Sequence, residues 1–179
     1  MGGNVGGGNS HQPRLPPGIG SWAPFIGHDG VVQVAIIYES LTGNTRTTSN
    51  HIADALQAEG HGAVAMAADR VDLDVVQRAD VVVLGTWVHG AFVVGAGPAL
   101  FKLRNAPAMA AKPDVVFCTY ALAAGKSLDK LTRAAESMGL TVLGGMLIKR
   151  GHLQEGAELL VDRLLAGLPT GAMPTLVLR

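Results

Sequence analysis

Five short apolar runs, each followed by a segment with helical periodicity, constrain the fold of this chain more than any other feature of its sequence. The runs are rich in valine and isoleucine and lie at 31–37, 63–68, 80–86, 113–119 and 141–148. Most are apolar almost without interruption, which is typical of strands that are covered on both faces and therefore parallel. The sequence thus predicts an α/β fold with a doubly wound, five-stranded parallel sheet.

The segments between the runs carry apolar residues on one helical face. Three of these stripes are formed by Ile52, Ala53, Ala55 and Leu56, by Leu128, Leu131, Ala135 and Met138, and by Leu153, Ala157, Leu160, Val161, Leu164 and Leu165. We expect a shorter helix at 70–78. Another is expected at 97–105, where Pro98 suits a first turn.

The two ends of the chain differ from this pattern. Glycines and prolines interleaved with polar residues predict a flexible tail at 1–30. The sequence therefore predicts one folded domain at 31–168 and a short C-terminal extension at 169–179. Neither a secretory leader nor an uncharged apolar run of about 20 residues, as a membrane span requires, is found.

Charge and cysteine content exclude several classes of protein. The chain has 14 basic and 14 acidic residues and a formal net charge of +0, which disfavours nucleic acid or an anionic membrane as a partner. A single cysteine, Cys118, rules out an internal disulfide and suits a cytoplasmic protein. Because His51 and His61 have no ligand partner at metal spacing, we expect no metal site.

The first apolar run leads into Glu39-Ser-Leu-Thr-Gly-Asn-Thr45 and then directly into a helical pattern. Such a strand, turn and helix start can hold a phosphate monoester: hydroxyl and amide groups donate, glycine lets the backbone approach, and the N–H groups of the first helical turn point at the anion. The residues assigned to this phosphate loop are Ser40, Leu41, Thr42, Gly43, Asn44 and Thr45.

Two further loops follow the third and fourth runs, and they should lie near the phosphate loop because ligands of doubly wound sheets bind at the carboxyl ends of the strands. The candidate ligand residues in them are Thr86, Trp87, Val88, His89 and Gly90, and Thr119, Tyr120, Ala121, Leu122 and Gly125. The chain has only two tryptophans and two tyrosines, yet one of each falls here. The sequence therefore predicts that a flat aromatic ligand lies between these loops.

The Ser/Thr-x-Thr-Gly-x-Thr spacing, together with aromatic residues in both other loops, resembles the flavodoxin family over residues 31–166. The resemblance implies FMN as cofactor and the strand order 2-1-3-4-5. It also implies that Ser40 to Thr45 hold the 5′-phosphate, that Trp87 and its neighbours form a flavin loop, and that Tyr120 belongs to a stacking loop.

Simpler interpretations of these residues remain at this point. The hydroxyls of Thr42 and Thr45 could cap the helix, Trp87 and Tyr120 could be packing residues, and His89 could be solvated. Gly125-Lys-Ser is not a nucleotide-binding P-loop, because the glycine such a loop needs earlier is replaced by Tyr120.

Two departures from the family bear on function. Electron-carrying flavodoxins are typically acidic, whereas this chain is neutral and its flavin loops contain no Asp or Glu. Many flavodoxins also flip a peptide beside the loop aromatic with the help of a glycine. Here Val88 follows Trp87, and Gly90 is the nearer glycine.

These observations predict an FMN-binding protein that transfers electrons through its flavin, with a redox protein or a small-molecule donor or acceptor as partner and no catalytic side chain of its own. The alternative is an FMN-dependent NAD(P)H:quinone-type oxidoreductase. A third hypothesis is a binding or regulatory module of the same fold that has lost its cofactor.

Overall fold

A computed structural model describes residues 31–88, 112–167 and 176–177, and it shows a sheet flanked by helices on both faces. The strands are β1 (Gln33–Tyr38), β2 (Gly62–Ala67), β3 (Val81–Trp87), β4 (Pro113–Tyr120), β5 (Thr141–Lys149) and β6 (Leu176–Val177). The helices are α1 (Asn44–Ala58), α2 (Leu73–Arg78), α3 (Ser127–Ser137) and α4 (Leu153–Gly167).

The strand order is β2-β1-β3-β4-β5-β6, and every neighbouring pair is parallel. The predicted doubly wound sheet and its order 2-1-3-4-5 are confirmed, and the five strands begin and end within two residues of the predicted bounds. A sixth strand, only two residues long, is added beside β5 from the segment at 169–179. The predicted tail at 1–30 and the helix at 97–105 lie outside the described residues.

Alternate side chains of the central strands divide the core into two layers. Ile36 and Phe117 point into one layer, which α1 and α4 cover, while Ile37 and Cys118 point into the other, which α2 and α3 cover. Helices on both faces explain why the strands are continuously apolar, since neither face of the sheet meets water.

Gly85 on β3 is required by close packing inside the first layer. A Cβ atom at this position would overlap the ring of Phe117 on the neighbouring strand, so the glycine makes room for the largest fully buried side chain. This contact brings β3 and β4 together just below the ends that carry the loop residues.

Candidate functional site

The three candidate loops meet at one edge of the sheet. In the order β2-β1-β3-β4 all strands run parallel, but β2 is added on one side of β1 and β3 on the other. Ligands of doubly wound sheets bind at such a reversal of strand order, at the carboxyl ends of the strands. A hydrogen bond from the Glu39 N–H to the Gly85 carbonyl (2.9 Å) joins the loop after β1 to β3.

Helix α1 begins at this crevice without a side-chain cap. Its N-cap residue is Gly43, at φ 92° and ψ −19°, and no side chain accepts a hydrogen bond from the first turn, which also has no acidic residue. The hypothesis that Thr42 or Thr45 merely caps the helix is therefore wrong. The N–H groups of the first turn remain available to a ligand anion.

Hydrogen bonds between residues close in sequence fix the shape of the loop before α1. The Gly43 N–H donates to Ser40 Oγ (3.1 Å), and Asn44 Nδ2 donates to Thr42 Oγ1 (3.2 Å). A left-handed backbone such as that of Gly43 is readily adopted by glycine and strains residues with a Cβ atom. The sequence motif thus determines the loop geometry through local bonds and one special backbone conformation.

Thr45 lies beneath the loop rather than on its surface. Its side chain is fully buried, and its Oγ1 atom lies 2.8 Å from Oγ1 of Thr119 at the end of β4. The carbonyl of Thr119 also accepts a hydrogen bond from the Val88 N–H (2.9 Å). One residue of each candidate loop is therefore linked in a single chain of contacts from α1 through β4 to β3.

The ends of β3 and β4 present the aromatic residues. Trp87 and Tyr120 are both half-buried, and Tyr120 packs partly against the second core layer. Thr86 is buried within β3. Beyond β4, Ala121, Leu122 and Gly125 are exposed, and Gly125 has φ 51°.

Leu41 and Leu122 are the two most exposed large apolar side chains among the described residues, at 69% and 67% of their surface. Both are candidate site residues, one before α1 and one after β4. Of the two, Leu41 lines the cleft beside the loop before α1. His89 and Gly90, also assigned to the site, lie outside the described residues.

A cleft of about 620 Å³ opens beside the phosphate loop. It is lined by Ser40, Leu41, Thr42, Gly43 and Trp87, and also by Tyr38, Glu39, Arg46, Ala67, Ala68, Asp69 and Arg70. Sequence reasoning missed this second group. Arg46 comes one residue after the motif, and Tyr38 and Glu39 come directly before it. The other four residues, at 67–70, lie at the end of β2 and just after it, and the strand order places β2 beside β1.

Arg46 and Arg70 bring two exposed guanidinium groups to the cleft. Arginine matches the geometry of phosphate oxygens and keeps its charge at any physiological pH. A phosphate monoester in this cleft would meet hydroxyls, uncapped N–H groups and positive charge together.

Two ionisable groups on β4 have shifted pKa values but do not face the crevice. Burial raises the pKa of the Cys118 thiol to about 12, so this cysteine is not a nucleophile. Burial also raises the pKa of Asp114 well above its ordinary value, near the opposite end of the strand. Neither group is therefore placed to take part in chemistry at the crevice.

The residues around the cleft have the properties that a phosphorylated ligand requires. The left-handed Gly43 and the uncapped N-terminus of α1 form a cradle for a phosphate, and Trp87 and Leu41 offer apolar surface in the same cleft. These features together suit a phosphorylated cofactor with a flat ring.

Fold and site together define a doubly wound α/β protein in which the turn after the first strand leads into an uncapped helix and has the shape of a phosphate loop. A family model described as a flavodoxin domain matches residues 35–95. The chain is thus similar to flavodoxins in its fold and in the sequence around the first strand, as the motif implied.

One curated relative and two solved structures show the extent of the likeness. A curated flavodoxin from Megasphaera elsdenii is 28% identical over 116 residues, which are 64% of this chain and 85% of the relative. The solution structure of the two-electron reduced flavodoxin of the same organism superposes with a TM-score of 0.57 at 25% identity, covering 72% of this chain and 98% of that one. A flavodoxin structure from Streptococcus pneumonia TIGR4 shares the fold with a TM-score of 0.58 at 19% identity, covering 74% and 97%.

Among the described residues, no helix is long and apolar enough to cross a membrane.

Proposed function

We propose that this protein binds FMN at the crevice between the ends of β1, β3 and β4 and carries electrons on the bound flavin. The observation that carries the proposal is the uncapped start of α1 at the left-handed Gly43, which opens onto the cleft. FMN, when bound, supplies the redox chemistry, and the chain supplies position and electrostatics.

The phosphate is held by the loop before α1. The hydroxyls of Ser40 and Thr42 and the N–H groups of the first helical turn donate to its oxygens, while Arg46 and Arg70 balance its charge. Because the loop contains no lysine and the first turn no carboxylate, backbone and hydroxyl donors provide most of the direct contacts.

The flavin ring is positioned by the ends of the other two strands. Trp87 and Tyr120 flank the crevice from β3 and β4, and Leu122 covers apolar ring surface in the loop after β4. The buried contact between Thr45 and Thr119 keeps the phosphate loop and this second loop at a fixed separation. Water is excluded from the ring on the sides that these residues cover.

The single buried cysteine supports a cytoplasmic location. The electron-transfer partner is a redox protein or a small donor or acceptor that reaches the open side of the crevice.

FMN and riboflavin titrations of the apoprotein, followed by flavin fluorescence, test the phosphate site. Thr42→Ala should weaken FMN binding about tenfold or more, because a hydrogen bond to a charged group contributes about 1.5–3 kcal/mol. Riboflavin, which has no phosphate, should bind both proteins alike. Thr141→Ala, exposed at the start of β5, is the matched control and should bind FMN normally.

Equal weakening of FMN and riboflavin by Thr42→Ala would refute the assignment of the loop. Failure of the unmodified chain to take up FMN would instead favour the hypothesis of a module without cofactor. A third result is bleaching of the FMN-loaded protein by NAD(P)H alone at catalytic rates. That result would identify an oxidoreductase in place of a carrier.

A further inference from the structure

Three exposed basic side chains stand where β4 and β5 end, next to the proposed flavin crevice. Lys149 is the last residue of β5 and lies in register with Tyr120. The N–H of Arg150 donates to the Tyr120 carbonyl (2.8 Å), and Lys126 precedes α3 in the loop after β4. We call Lys126, Lys149 and Arg150 the basic patch.

No side chain of the basic patch has a hydrogen-bond or ion-pair partner in the described part of the chain. The nearby Glu155 is engaged with His152, whose Nδ1 lies 2.7 Å from its carboxylate. Charges that are exposed and uncompensated remain available to a partner, whereas charges in local pairs are partly neutralised.

Charge of the opposite sign gathers on the other side of the crevice. The segment after β2 contains Asp69, Arg70, Asp72 and Asp74, so it is net acidic. Although the whole chain has no net charge, the edge that carries the crevice is divided into a basic side at β4 and β5 and an acidic side at β2. Local fields of this kind steer association even when the net charge is zero.

An apolar centre accompanies the basic patch. Leu122 is largely exposed in the same loop as Lys126, and Tyr120 lies at the base of that loop. A stable protein interface commonly has an apolar centre with a polar rim. Leu122 and the basic patch together have this arrangement on the side where the flavin ring is expected.

We propose that the basic patch docks an acidic surface of a redox partner protein, which then exchanges electrons with the flavin beside Tyr120. This inference rests on the proposed function. Acidic flavodoxins present a carboxylate-rich rim to basic partners, and the charges on this chain are arranged for the reverse choice.

Reduction of cytochrome c by the FMN-loaded, dithionite-reduced full chain tests the proposal. Two acceptors are compared: native cytochrome c, which is basic, and succinylated cytochrome c, which has the same haem on an acidic surface. Each reduced flavin gives one electron to each of two ferric haems, which become ferrous, and its protons pass to the solvent. Stopped-flow rates are measured from about 10 mM to about 200 mM salt, across which charge interactions become screened.

With succinylated cytochrome c, the rate should fall about tenfold as the salt concentration rises, whereas the rate with native cytochrome c should not fall. Lys149→Gln combined with Arg150→Gln should remove most of this salt dependence. Arg78→Gln combined with Arg133→Gln removes the same net charge from exposed positions on α2 and α3 and should leave it unchanged.

FMN affinity, measured for each variant, separates the two proposals. If both double variants bind FMN normally and show the same salt dependence, the docking proposal alone is overturned. It is also overturned if the rate with native cytochrome c falls more steeply with salt than the rate with succinylated cytochrome c. Absence of FMN uptake by the unmodified chain would overturn the proposed function and this inference with it.

Discussion

Replacing Asp114 by asparagine should change how the stability of this protein depends on pH. Asp114 lies on the central strand β4, its side chain is fully buried, and neither carboxyl oxygen has a hydrogen-bond partner. Lys112, two residues earlier, donates instead to the carbonyls of Gln77 (3.0 Å) and Ala79 (2.6 Å). Burial raises the pKa of Asp114, and the nearby Val115 N–H, although it makes no well-formed hydrogen bond to the carboxyl, lowers it only slightly in comparison. The folded protein therefore keeps the carboxyl protonated well above the pH at which the unfolded chain ionises it.

The sign and size of the effect follow from proton linkage. Below the unfolded pKa, about 3.9, both states are protonated and the group does not affect the pH dependence. Above it the unfolded state alone releases a proton, so the free energy of unfolding falls by about 1.4 kcal/mol per pH unit until the pH passes the raised pKa of the folded state. Asparagine has a similar shape and no charge to lose. The stability of Asp114→Asn minus that of the unmodified protein should therefore rise with pH over this window and then level off.

Urea unfolding of both apoproteins at a series of pH values measures this difference, and the effects of all other titrating groups cancel in it. Asp162→Asn, at an exposed position on α4, is the matched control and should give no such rise. A difference between Asp114→Asn and the unmodified protein that stays constant with pH, or that falls, would refute the reasoning. It would show that Asp114 ionises in the folded state, with a partner or a water molecule.

Three further predictions concern packing and hydrogen bonding in the same sheet. Gly85→Ala should lower the free energy of unfolding by about 1–3 kcal/mol, because the new Cβ atom overlaps the Phe117 ring. Adding Phe117→Leu should restore part of the lost stability, and no such gain would contradict this explanation. Cys118 should not react with a thiol reagent at pH 8 in the folded protein but should react in urea, since its thiol is buried and its pKa is about 12; rapid labelling of the native state would disprove this. Thr45→Val and Thr119→Val should each lower the free energy of unfolding by about 1–3 kcal/mol, because each leaves the other hydroxyl unpaired. In a double-mutant cycle, the double variant should lose less stability than the sum of the two single losses. Strict additivity would show that the two hydroxyls do not interact.

The parts of this fold that the sequence predicts are those determined by local pattern. A run such as Val81–Leu84 is apolar because both faces of the sheet are covered, and that pattern is visible without knowing what covers it. The phosphate loop is equally local, since Ser40 and Gly43 shape it through a hydrogen bond between residues three apart. Two-residue β6 is too short to produce any pattern, and only its pairing with β5 defines it as a strand.

The parts that escape prediction depend on contacts distant in sequence. Thr45 and Thr119 are separated by 74 positions, and nothing near either residue indicates that their hydroxyls meet. Arg70 reaches the cleft only because β2 lies next to β1, so its role follows from strand order rather than from a motif. Asp114 was included in a predicted strand, but its complete burial depends on the layers above and below it.

The order in which the strands pair has a consequence for synthesis on the ribosome. β1 can pair with both of its neighbours once residues up to Trp87 have emerged, but the outer edge of β3 pairs only with β4, which ends 33 residues later at Tyr120. At about 5–20 residues per second, that interval lasts about 2–7 s. During it, a nascent chain presents a largely apolar strand with an open edge, which favours pairing with other chains. Codons that speed elongation through the segment between Trp87 and Pro113 should therefore raise the yield of soluble protein.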